Sequence, residues 1–245
     1  MPVILDPSVA GLIAHESFGH GLEADQIVRG RSYLASLFGK QVASSMVNIS
    51  DSPVIEGAIG SHPFDDEGII ARKTPLIEQG ILTHYLHSRM TATLLGEKPH
   101  GNGRRQGFMY PVYPRMGNTY FEPGVQNLDE MVREIKDGLF ISKAFFGMED
   151  PLGGGMQCTS RKGYLIENGE KTKLVKGITV SGQVLDLLMN IDALSKGEIT
   201  LDGGTCGKGI EDVVAVSSGG VYMRVKKAVV RSEERRVGKE CRSRW

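Results

Sequence analysis

The chain has 245 residues, a formal net charge of 0 and 40% hydrophobic residues, enough for one sizeable core and unlike a disordered chain. No run of about 18 apolar residues occurs, and Met1 to Asp6 lacks the basic start and apolar core of a secretion signal, which excludes a helical membrane span and makes a cytoplasmic location the default. The three cysteines, Cys158, Cys206 and Cys241, are too scattered for a disulfide framework and point to thiols or a metal thiolate.

Asp6-Pro7 offers an N-cap followed by proline at the first helical position, and Val9, Leu12, Ile13 and Glu16 continue at helical spacing. A first helix is therefore predicted from about Pro7 into His15-Glu16-Ser17-Phe18-Gly19-His20. Two imidazoles bracketing a carboxylate suit zinc, because neutral imidazole is the commonest metal ligand and the carboxylate can take a proton from water that the metal activates. The spacing is unusual. Zinc peptidases usually set their histidines four apart, about 40° around an α-helix, whereas the five-residue step here gives about 140° at roughly 100° per residue. A π-bulge, or unwinding at Gly19 and Gly21, would return both rings to one side. Ordinary helix-surface histidines are the alternative that the motif alone leaves open. Leu22 to Val28 then resumes helix, and its Glu23 and Asp25 read either as a solvated acidic face, the commoner case, or as partners orienting a ligating histidine.

Ala43 to Ile49 and Ile69 to Tyr85 are strand territory, with Glu78-Gln79-Gly80 as a hairpin turn. Asp65-Asp66-Glu67-Gly68 is an acidic turn without the ligand spacing of a hard-cation site. His62, His84, His87 and His100 repeat no metal-binding spacing and are expected to be packing or surface residues. Gly101-Asn102-Gly103-Arg104-Arg105 and Pro114-Arg115-Met116-Gly117-Asn118-Thr119 form a long loop of the kind that carries binding groups. Arg115 and Asn118 can clamp a peptide carbonyl or carboxylate there, or satisfy the loop's own backbone.

Leu128, Met131, Val132 and Ile135 mark a short amphipathic helix stopped by Gly138. Gly153-Gly154-Gly155 lacks the context of a phosphate loop. Asn168-Gly169, between Tyr164 to Ile166 and Thr172 to Val180, is a strong hairpin signal. Ser181 is expected to cap a second amphipathic helix through Leu194. Asp202 to Gly209 then reads as a glycine-crowded loop exposing Cys206 beside Lys208, which is how a thiolate is presented to a metal. The 32 glycines, clustered in turn contexts, favour a β-rich α+β fold with few short helices.

Residues 231–245 resemble the read-through translation of a sequencing-library adapter, whose codons begin AGA-TCG-GAA-GAG, and are expected to be an artefact. Removing them takes away six basic and three acidic residues and leaves a net charge of −3, with no basic footprint for nucleic acid.

With His15-Glu16-Ser17-Phe18-Gly19-His20-Gly21-Leu22-Glu23 near one end and Gly204-Thr205-Cys206-Gly207-Lys208 near the other, the chain resembles the TldD/PmbA metallopeptidase family, specifically its catalytic TldD-type subunit. The match continues through Asp65 to Gly68, Leu76 to Gly80, Pro114 to Thr119 and Gly163 to Gly169. The resemblance implies a barrel-like antiparallel β domain with a few short helices, one carrying the zinc motif. It implies that residues 1–230 are the C-terminal domain of a protein whose N-terminal domain is missing here. It further implies zinc held by His15, His20 and Cys206, Glu16 as general base, hydrolysis of unfolded or unstructured peptides, and a heterodimer with a homologous subunit lacking the motif. The rival reading is a non-catalytic subunit that grips peptides or modulates gyrase, its metal purely structural. An intact Glu16 and only three protein ligands weigh against that, since structural zinc sites are normally closed by four.

Overall fold

A computed structural model describes residues 1–209 and 212–233. Its strands, in chain order, are β1 (Val3–Leu5), β2 (Ile49–Asp51), β3 (Thr74–Glu78), β4 (Ile81–Leu82), β5 (Gly103–Arg104), β6 (Tyr113–Pro114), β7 (Asn118–Phe121), β8 (Asp137–Glu149), β9 (Gly155–Glu167), β10 (Glu170–Gln183), β11 (Ile191–Leu194), β12 (Thr200–Lys208), β13 (Asp212–Gly220), β14 (Met223–Val225) and β15 (Val229–Glu233). The α-helices are α1 (Pro7–Leu12), α2 (Ala24–Val28), α3 (Arg89–Leu95), α4 (Leu128–Arg133) and α5 (Val184–Met189), and a π-helical segment spans Ile13–Gly19.

One sheet runs β11-β14-β1-β8-β9-β10-β15 and the other β12-β13-β7-β2-β3-β4, with β5 and β6 paired apart. The fold is β-rich α+β, as expected, with a curled half-barrel sheet. It is not a purely antiparallel barrel: β1 pairs parallel with β8, β13 pairs parallel with β7, and each principal sheet ends in two edge strands. Such parallel pairings need long crossovers, which local turn signals do not reveal.

Strand β1 explains how the first sheet is covered on both faces. Val3 and Leu5 point into the main core, whereas Ile4 points the other way, into a second cluster with Met131, Val132 and Ile135; alternation along the strand does this. Helix α1 follows at once. The Asp6 carboxylate accepts from the amide of Val9 at 3.0 Å as its N-cap and from the amide of Lys143 on β8 at 3.0 Å, so the same side chain starts the helix and ties it to the first sheet. On its other side α1 meets the second sheet at Gly11, where an added Cβ would stand 2.2 Å from the Gly219 nitrogen of β13. The helix thus lies in the seam between the two sheets.

Both hairpin signals form turns of the expected kind, with positive φ at Gln79 and Gly80 (47° and 80°) and at Asn168 and Gly169 (50° and 82°). Three expectations need correction. The first strand region is shorter than predicted, with only Ile49–Asp51 forming a strand. The helix capped by Ser181 does not exist as predicted: Ser181 belongs to β10, α5 stops at Met189, and Ile191–Leu194 is strand β11. A register shift between Ile191 and Ala193 lets Ile191 and Leu194 share the main core despite their three-residue spacing, and that bulge imitated a helical stripe. The glycine-rich stretch around Cys206 is not a loop but strand β12, paired with β13 from Thr200 to Lys208. As for the adapter-like tail, Arg231 to Glu233 pair with β10 as part of β15, and residues 234–245, with Cys241, lie outside the described residues.

Candidate metal centre

The π-helical segment is what gathers the histidines. The amide of His20 bonds to the carbonyl of His15, five residues back, so the widened turn absorbs the extra residue and stacks the two side chains on one side. Their rings meet edge to face with centroids 5.1 Å apart. From the second sheet Cys206 reaches the same point, its Sγ 3.4 Å from His20 Nε2. The ligand atoms of His15, His20 and Cys206 all lie within 4.8 Å of one another, and no other such group occurs among the described residues. His15 and Cys206 are buried and His20 is half-buried. The Cys206 thiol is therefore not exposed by its glycines, as the sequence suggested, but turned inward from an edge strand onto the histidines.

The donor set fits zinc, which takes imidazole nitrogen and thiolate sulfur. His15 Nδ1 is sealed from solvent without a hydrogen-bond partner, a polar atom whose partner the chain does not supply. Burial would push the Cys206 thiol up, but His15 and His20 beside it outweigh burial and bring it down to about 6, toward the thiolate that a metal needs. Burial likewise opposes charge on His20, yet Glu23 and Cys206 hold its pKa well above the ordinary imidazole value.

Glu23 and Asp25 are not a solvated face; both are buried. Glu23 Oε2 stands 3.3 Å from His20 Nδ1 and 3.0 Å from Lys208 Nζ, and its Oε1 stands 3.6 Å from Arg115 Nε. Burial would raise this carboxyl, but Lys208, His20 and Arg115 hold it at about 2. The arrangement fixes the His20 ring through Nδ1 and leaves Nε2 for the cluster, the usual way in which a carboxylate orients a metal-binding histidine. Glu16 differs from Glu23 in being partly open, with its side chain 30% exposed and Oε2 4.0 Å from His20 Nε2. It lines a groove of about 320 Å³ together with Leu12, His15, Phe145, Gly204 and Thr205.

Arg115 and Asn118 do not line this groove. Both are fully buried: Arg115 Nη2 donates to the Cys206 carbonyl at 2.6 Å, and the Asn118 amide bonds Ser52 O, Ser61 Oγ and the Gly60 amide. Side chains closed off from solvent and bonded to the protein's own groups in this way favour the framework reading over the clamp. The acidic turn is a turn: Asp65 accepts from the amides of Glu67, Ile69 and Gly103, and Glu67 from that of Arg89.

Sequence reasoning missed Glu149. It lies on the face of β8 that Gly147 turns toward the helix, where a Cβ on Gly147 would stand 2.8 Å from Glu16 Cγ. Glu149 Oε2 is buried without a hydrogen-bond partner. Burial first, and then Glu23, Glu16 and Asp150, push its carboxyl up to about 8 against the opposing pull of His20. Only the pairing of β8 with the rest of the sheet brings it here, and no local motif marks it.

The family model for the PmbA/TldA metallopeptidase C-terminal domain matches residues 1–232. The chain belongs to this family, the TldD/PmbA metallopeptidases. Among family members with curated names, a metalloprotease of Methanocaldococcus jannaschii is 41% identical over 218 residues, covering 89% of this chain and 48% of its own length. A zinc metalloprotease TldD homolog of Saccharolobus solfataricus is 35% identical over 235 residues, covering 94% and 51%. Among solved structures, a candidate modulator of a DNA gyrase from Thermotoga maritima superposes with a TM-score of 0.75 at 27% identity, over 94% of this chain and 49% of that one. TldE from Thermococcus kodakarensis shares the fold with a TM-score of 0.73 at 22% identity. This TldD/PmbA chain thus spans about half the length of the relatives it matches. Among the described residues, no helix is long and apolar enough to cross a membrane.

Proposed function

We propose that the chain is the zinc-binding half of a cytoplasmic peptidase that hydrolyses unstructured peptides, with His15, His20 and Cys206 as metal ligands and Glu16 as general base. The observation that carries this is the convergence of His15, His20 and Cys206 within 4.8 Å, from chain regions 186 positions apart, beside a partly open carboxylate. Zinc, when bound, supplies a Lewis acid that polarises a peptide carbonyl and makes water acidic enough to attack near pH 7. The chain's own residues do the rest. Glu16, open to the groove, takes the proton of the attacking water and can pass it to the leaving amine. Glu23 keeps His20 oriented, and the enclosed walls around His15 and Cys206 strengthen electrostatics at the reacting centre.

The groove also favours an extended substrate. Strand β12 carries Cys206 and, among the described residues, pairs with β13 alone, which leaves its other edge outside the ladder beside Gly204 and Thr205, while Arg115 takes the Cys206 carbonyl. An unfolded peptide can add to such an edge as a further strand, bound by its main chain with little demand on sequence. Because relatives are about twice as long, residues 1–230 are proposed as the C-terminal domain of a longer protein and residues 231–245 as foreign to it, although Arg231 to Glu233 extend the last strand. The family resemblance leads us to propose a heterodimer with a homologue that lacks the motif, and TldE of Thermococcus kodakarensis shares the fold such a partner would have. In the full-length protein with that partner, Glu16→Gln should keep its zinc and bind peptide while turnover falls by about 10² or more. Loss of zinc would make Glu16 a ligand or a prop, retained turnover would end the mechanism, and peptide binding without turnover in the parent would favour a non-catalytic subunit.

A further inference from the structure

Lys208 lies two residues beyond Cys206 on β12, an edge strand that, among the described residues, pairs with β13 alone. Its ammonium is 2.6 Å from Asp25 Oδ1 and 3.0 Å from Glu23 Oε2 and donates to the Pro114 carbonyl at 3.2 Å, with only 9% of the side chain exposed. Glu23 and Asp25 both follow the π-helical segment, which carries His15 and ends against His20. Arg115 makes a second tie across the same gap, from the Cys206 carbonyl at 2.6 Å to within 3.6 Å of Glu23 Oε1. Glu23 therefore holds His20 on one side and, through two cations, the strand bearing Cys206 on the other.

We propose that Lys208 is a positioning residue, a clasp that sets Cys206 against His20 before any metal arrives. Buried ion pairs add little stability over well-packed apolar groups, so stability alone is a poor reason for three charges here; fixing the register of an edge strand against a helix is a better one. At this end of β12 the hydrogen-bond ladder fixes β12 to β13, whereas the histidines ride on α1 and its continuation, so among the described residues the Lys208 ion pairs and the Arg115 tie are the polar links between the two. The purpose of the clasp rests on the metal-centre proposal, but its existence does not, and the two can be tested apart.

The test is the alkylation rate of Cys206 by iodoacetamide in the full chain carrying Cys241→Ser and stripped of metal by a chelator. Cys206 is 3% exposed and Cys158, in the core on β9, is 1% exposed, so Cys158 serves as an internal control for general unfolding. Lys208→Met should speed reaction at Cys206 by about tenfold or more while Cys158 stays protected; losing a cation disfavours the thiolate, so a faster rate reports access and not reactivity. The double variant Asp25→Asn/Lys208→Met, which strands one buried carboxylate fewer, should behave alike, and Lys208→Arg should restore protection. Zinc affinity measured by chelator competition should fall about 10- to 100-fold in the first two. An unchanged Cys206 rate in both methionine variants, or equal exposure of Cys158 and Cys206 in the double variant, would overturn the clasp. A parent chain that binds no zinc while the variants still unmask Cys206 would leave the clasp standing and remove the metal-centre proposal.

Discussion

The ring centroids of His15 and His20 stand 5.1 Å apart, edge to face, although the two residues are five positions apart and an ordinary α-helix would aim them about 140° apart. The π-helical bond from the His20 amide to the His15 carbonyl makes the difference. Widened turns of this kind are costly, and the packing around Gly19 helps to explain why this one persists.

Gly19 has ordinary helical φ and ψ (−60°, −44°), so its role is space and not conformation. A Cβ there would stand 2.1 Å from Met116 Sδ and 3.0 Å from the Ala14 carbonyl, and because Met116 is fully buried it would have to repack within the core. Gly19→Ala should therefore destabilise by about 1–3 kcal/mol through overpacking, outweighing any gain in helix propensity. It should also weaken zinc binding, because the strain falls between the two histidines. Thermal melts and chelator competition on the same sample check both effects.

The two core cysteines should behave oppositely. Cys206→Ala should lose the metal, whereas Cys158→Ala should keep it, because only Cys206 reaches the histidines. Metal analysis of the two purified variants decides this, and equal zinc content would remove Cys206 from the site.

Much of this was legible locally. Asp6 as N-cap, Asn168-Gly169 as a turn and the histidine pair with its needed distortion are all matters of residues within one turn of each other. What escaped depends on partners far along the chain. Lys208 sits 183 positions from Asp25, so its ion pairs leave no trace in local spacing, and the inward turn of Cys206 follows from β12 pairing with β13. Arg115 looked like a binding group because loops often carry them; only the strand passing over it shows that its guanidinium is spent on Cys206 and Glu23. In β11 the bulge itself produced a false helical period.

Acid should destabilise the fold partly through His87, away from the metal centre. Burial first, and then the proximity of His100 and His84, lower its pKa to about 4. A base whose folded pKa lies below its unfolded value binds protons preferentially when unfolded, so its contribution is present above about pH 6.5 and is lost as pH falls toward 4. Between pH 7 and pH 5 the parent should lose about 2 kcal/mol more than His87→Gln. Urea unfolding of both at the two pH values measures this, and parallel losses would contradict it.

The central claim is that two histidines of one helix and one cysteine of a distant edge strand make a single zinc site. X-ray absorption at the zinc edge, on the full chain loaded with one equivalent of zinc, tests it most directly. One sulfur at about 2.3 Å and two imidazole nitrogens at about 2.0–2.1 Å are predicted, with the sulfur lost in Cys206→Ala. A zinc shell with no sulfur, or a sulfur that survives Cys206→Ala, would contradict it.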